Sequence, residues 1–193
     1  AIFEIAWRAY SAGAAVTVAI RKSMLPSFSS ASLNSEELEI TLSNGYLISK
    51  WVVQIGVLVG AASSFLIPVL FTENFSQSQL VFVLLLPSWG LMSVNSTWVV
   101  AVESLLTGSK FATVMLGQLF ITIFAAMTIS IWDSLYGVII GVFLGEIFVF
   151  VTAYSLVRKS TSFHVEISKL TLFISTFLTF LAGYSIAVHL NEI

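Results

Sequence analysis

Between Asp133 and Arg158 lie about 24 residues that are almost all apolar. Wound as a helix at about 1.5 Å per residue, a stretch of that length crosses a hydrocarbon core of roughly 30 Å. Gly137, Gly141 and Gly145 fall in it at i, i+4 and i+8. They make one bare stripe down the helix, on which a second helix can lie backbone against backbone. Glu146 follows the stripe, near the middle of the span. An acid at that depth costs about 2.5–3.5 kcal/mol on insertion scales and faces a bundle interior or a wet cavity. Its other reading is a carboxyl hydrogen-bonded to a neighbouring helix for packing.

The same kind of run recurs along the chain. Only 9% of the 193 residues are charged and 58% are hydrophobic, with mean hydropathy +0.99. A soluble domain carries about 25% charged residues. The expected fold is therefore all-α, a polytopic transmembrane helix bundle of about six spans near residues 3–20, 46–71, 79–102, 111–131, 134–157 and 170–188. Pro26 is expected to bend or end the first helix, and the serine-rich residues 27–35 read as a loop. Glu36 and Glu37 sit at a helix start, and Leu38 with Leu42 suggests a short amphipathic piece on the membrane surface before the second span. The chain begins at Ala1 inside an apolar segment and reads as a piece of a longer protein.

A few polar groups lie within the spans. Glu4 and Arg8 are spaced i, i+4 in the first and are able to pair. Arg8 reads either as half of a surface ion pair or as a cation lining a cavity for an anionic substrate. The third span carries Pro87, Gly90 and then Asn95, Ser96 and Thr97, which suit either helix packing or a hinge facing a transport cavity. Gln118 is the main polar group of the fourth.

Apart from Arg8, the bases are Arg21, Lys22, Lys50, Lys110, Arg158, Lys159 and Lys169. All seven fall at the first, third and fifth connections. The second and fourth, around Glu73 and Asp133, hold none. The positive-inside rule therefore puts residues 21–50, 103–110 and 158–169 in the cytoplasm and the C-terminus outside.

The same residues argue against several activities. The chain has no cysteine, no histidine cluster, no glycine-rich phosphate loop and no nucleophile with a base at workable spacing. An enzyme is not expected, nor a metal site or cofactor. Nucleic-acid binding would need a basic surface that is absent. A series of gating arginines and a filter-like loop are absent too. A multi-span transporter remains.

The order of short motifs is more specific. Ile67-Pro68-Val69-Leu70-Phe71 ends a span and is followed by the turn Thr72-Glu73-Asn74-Phe75. Then come Leu105-Leu106-Thr107-Gly108-Ser109-Lys110, a two-helix hairpin, and Leu135-Tyr136-Gly137-Val138-Ile139-Ile140-Gly141. Upstream, Met24-Leu25-Pro26-Ser27-Phe28-Ser29 follows a helix carrying Arg8 and Tyr10. This series resembles the C-terminal half of polysaccharide (O-antigen and capsule) lipid-carrier flippases of the multidrug/oligosaccharidyl-lipid/polysaccharide superfamily. The resemblance implies part of the C-terminal lobe of a V-shaped transporter like the multidrug and toxin extrusion proteins. Residues 1–157 would be a partial lobe, and 158–193 a cytoplasmic loop with an accessory span. An N-terminal lobe would be missing.

It also implies flipping of an undecaprenyl-diphosphate-linked oligosaccharide across the bacterial inner membrane, by alternating access coupled to a proton or sodium ion. Arg8, the only base within a span, is the candidate to meet the diphosphate; Glu146, by its depth alone, could bind a coupling proton or cation or a sugar hydroxyl, and with Asn95 it completes the expected substrate-binding set. The alternatives are a multidrug or peptidoglycan-precursor exporter of the same superfamily, or a membrane glycan polymerase or glycosyltransferase.

Overall fold

The computed structural model describes residues 2–31, 35–63, 70, 76–131 and 134–161. Five helices are found among them: α1 (Ile2–Ala31), α2 (Ser35–Ser63), α3 (Ser76–Leu105), α4 (Gly108–Ser130) and α5 (Ser134–Ser160). Four of these, α2 to α5, are long and apolar enough to cross a membrane. The described residues thus form a helical bundle consistent with a membrane protein. The expected six spans are not all seen. α1 falls outside the four, because Glu4, Arg8, Arg21 and Lys22 interrupt a helix otherwise rich in alanine. The expected span at 170–188, the motif around Pro68, and the connections holding Glu73 and Asp133 lie outside the described residues.

Two local expectations fail. α1 runs through Pro26 to Ala31, so residues 27–31 are helix, not loop. A proline inside a helix costs about 3 kcal/mol. What offsets it is burial: Met24, Phe28 and Ala31, spaced i, i+4 and i+7, are all inside, in one cluster with Leu38 and Leu42. The separate surface helix does not exist either. α2 is continuous because its inward stripe of Leu38, Leu42, Gly45, Ser49, Val53 and Val57 keeps helical spacing straight through Asn44 and Gly45.

The organising element is α3, with 78% of its span buried against 11% of α4's. Its contacts fix the direction of every neighbour. Thr17 of α1 hydrogen-bonds Ser93 at 3.0 Å and Arg21 pairs with Glu103 at 2.7 Å, so α1 runs parallel to α3. Gly45 and Ser49 of α2 meet Thr97, whereas Gly56 and Gly60 meet Trp89 and Leu86, so α2 runs antiparallel. Asn95 meets Glu146 and Trp98 meets Tyr154, so α5 runs parallel. Consecutive helices therefore alternate in direction.

α4 and α5 form the tightest pair. The glycine stripe is the reason: Gly137 abuts Ser130, Gly141 the backbone at Thr122 and Ala126, and Gly145 Thr122 and Gln118. Small residues at the crossing let two backbones approach, which in lipid is the main packing gain available.

Candidate functional site

Three buried polar side chains of α3 each reach a different partner helix. Ser93 meets α1, Thr97 meets Ser49 of α2 at 2.8 Å, and Asn95 meets α5. The Asn95 amide donates from Nδ2 to both the Glu146 carboxylate Oε2 (2.8 Å) and the Glu146 main-chain carbonyl (2.9 Å). From α4, Gln118 donates Nε2–H to the other carboxylate oxygen, Oε1, at 2.8 Å. Three helices thus converge on one carboxyl group that is 5% exposed. The approach is possible because Gly145, next to Glu146, lets α4 come close beside Gln118.

Two of the three expected site residues, Asn95 and Glu146, are thereby in direct contact. Gln118, the third member, was visible in the sequence as the main polar group of its span, but nothing in its spacing pointed to Glu146. Arg8 is elsewhere. It pairs with Glu4 at 2.6 Å on the outside of α1, with the two side chains 77% and 61% exposed.

No lysine, arginine or histidine among the described residues bonds Glu146; its partners are carboxamides alone. Both oxygens accept, which suits a group able to hold a proton, a cation or a sugar hydroxyl. No cluster of three or more His, Cys, Asp and Glu exists among the described residues.

Removing Asn95 should expose what the cluster contributes. Asn95→Leu leaves Oε2 buried with no donor, at an expected cost of about 1–3 kcal/mol in folding stability. Once Glu146→Gln is in place, the same change should cost less. A double-mutant cycle in detergent unfolding reads the difference, and additive effects would mean the two side chains do not interact.

A second feature is an apolar cavity of about 580 Å³ between α1 and α2, floored by α3. The two helices come together where the Phe28 ring approaches Gly45. The cavity lies along the rest of their length, lined by Tyr10, Gly13 and Val16, by Trp51, Ile55 and Val59, and by Phe82, Leu86 and Trp89. A side chain at Gly56 would meet the Trp89 ring, which would have to move aside.

No family model matches the chain, and no curated protein or solved structure is significantly similar to it.

Proposed function

We propose that this chain is part of a membrane transporter that flips an undecaprenyl-diphosphate-linked oligosaccharide across the bacterial inner membrane, coupled to an ion gradient. The observation that carries this reading is the unequal chemistry of two outward faces. α4 exposes Leu116, Leu119, Phe120, Ile123, Phe124 and Met127, as a lipid-facing helix does. α1 exposes a stripe of Glu4, Arg8, Ser11, Ala15, Ala19 and Lys22, with Trp7 and Val18 along its edge. A stripe of charge and small residues suits a wet cavity or a second helical lobe far better than lipid tails. On this reading Arg8 looks into the transport path. Its guanidinium matches a diphosphate, and Glu4 holds it until substrate arrives.

The Asn95–Glu146–Gln118 cluster is then the coupling group, inside the bundle and away from the substrate path. The alternating helix directions are consistent with the alternating basic connections, and on the positive-inside rule residues 21–50, 103–110 and 158–169 would be cytoplasmic. The order of sequence motifs supplies the substrate class.

The test is translocation of a fluorescent undecaprenyl-diphosphate oligosaccharide in proteoliposomes of the intact protein. Translocation is expected, and Arg8→Ala is expected to abolish it while membrane insertion stays normal. Unchanged flipping by Arg8→Ala would remove that residue from the path. A well-folded protein that lengthens glycan chains instead of flipping them would be a polymerase. The apolar cavity with Trp51 and Trp89 in its walls favours one other reading, an exporter of amphipathic small molecules. Drug-gradient formation by the same liposomes, without glycolipid flipping, would select it.

A further inference from the structure

We propose that the groove between α1 and α2 is a binding site for one acyl chain of a membrane phospholipid, whose headgroup lies at the end of the groove beside Ile20 and Ile48. The inference is independent of the transporter reading.

The dimensions select a hydrocarbon chain. From Ile48 to Gly60 the groove follows α2 for about 18 Å, at about 1.5 Å per residue. Its volume of about 580 Å³, spread over that length, leaves a channel about 6 Å across, whereas a helix with its side chains needs about 10–12 Å. A further helix, of this chain or of a partner, is too wide for it; a single alkyl chain is not. The length is close to one leaflet, half of a hydrocarbon core of roughly 30 Å.

The walls change from apolar to polar in one direction. At the far end they are Ala9, Val59 and Phe82. Past Ile20 and Ile48 the same helix faces continue in Ser23 and Ser27 on α1 and Asn44 on α2, all three exposed. Trp51, on the wall near this end, is exposed as well, and tryptophan is enriched where a membrane meets water. Lys22 and Lys50 lie at the same level, on the far flanks of the two helices. Neither pairs with a carboxylate among the described residues. The plane of the headgroups is therefore basic here, and a basic plane attracts a phosphate. A molecule with one anionic end and one apolar chain matches both halves of the groove.

What holds the chain is packing. Lipid tails are as apolar as the groove walls, so removal from water contributes little. Wall atoms that face a gap forfeit their dispersion contacts, however. An alkyl chain lying on the Trp89 ring would touch α1, α2 and α3 together. The lipid would thereby join α1 to the bundle along the length where the groove separates it from α2.

Two measurements on the purified intact protein test the site. Native mass spectrometry counts the phospholipid retained after exchange into lipid-free detergent. In nanodiscs, a phosphatidylglycerol carrying a diazirine at the tip of one acyl chain shows where that tip lies. One phospholipid per chain should be retained, and the label should reach Phe82, which is 8% exposed and lines the apolar end of the groove. Val16→Phe combined with Ile55→Phe fills the groove from both walls; it should cut retention and Phe82 labelling at least tenfold in a folded protein. Val59→Phe, which narrows only the far end, should reduce the Phe82 label by itself. Leu119→Phe, on the exposed face of α4, should change neither. Absence of the retained phospholipid or of the label at Phe82 would overturn the proposal. So would retention and labelling that survive the filled groove. A retained polyprenyl phosphate or other amphiphile in place of phospholipid would overturn it, and so would cross-linking of cysteines in the groove to another segment of the chain.

Discussion

Leucine in place of Gly141 is expected to force α4 and α5 apart and to cost about 3 kcal/mol or more, the upper end of what overpacking does. The reason is the kind of atom that blocks the way. Even a methyl group at Gly141 would lie 2.7 Å from the Thr122 carbonyl oxygen and 2.9 Å from the Ala126 amide nitrogen. Both are backbone atoms of α4, so neither can rotate aside, and the whole helix must move. At Gly117 the obstacle is the Phe148 ring, which can turn, and alanine there should cost less. Gly108→Ala is the control, because nothing lies within 4 Å of the added atom, and it should stay within about 0.5 kcal/mol of the native protein. Reversible unfolding in mixed micelles compares the three. Native stability in Gly141→Leu would mean that the two helices do not meet at this residue.

Phe28→Ala is the second large effect, expected to cost about 3–5 kcal/mol. Phe28 is 1% exposed and its ring reaches Gly45 on α2. Leu38, Leu42, Met24 and Ala31 belong to the same buried cluster. Truncation leaves a cavity where α1 meets α2, so those two helices should lose their register before the rest of the bundle does. Pro26→Ala next to it should act the other way, because it restores a backbone donor and removes a ring clash inside a helix that the structure keeps intact. Disulfide trapping between cysteines placed on the two helices, read beside global stability, checks the pair. Equal cross-linking and stability in Phe28→Ala would place that side chain outside the core.

The glycine stripe is legible in the sequence because its content is steric and local. Three glycines one turn apart leave one helix face bare whatever packs on it, and α4 does pack on it. The burial of Glu146 is legible for a similar reason, since a carboxyl in mid-span has few places to go. The course of α1 is not. Pro26 is a local signal for a break, and the residues that override it, Leu38 and Leu42, belong to a different helix. The continuity of α2 was written in its inward stripe, but Ser43, Asn44 and Gly45 together look like a turn until that stripe is followed across them.

By itself, then, the sequence determined a helical membrane protein, alternating basic connections, a close helix pair at the glycines, and a buried acid. These depend on hydropathy, charge and side-chain size, which each residue carries with it. The tertiary structure alone decided that α3 is the central helix and that Glu146 takes its partners from α3 and α4. It also decided that Arg8 stays outside with Glu4, apart from the other two expected site residues. A hydrogen bond between residues 51 positions apart, as between Asn95 and Glu146, depends on how helices are rotated about their axes. That rotation is set by the sum of many contacts, and no single stretch of chain contains it.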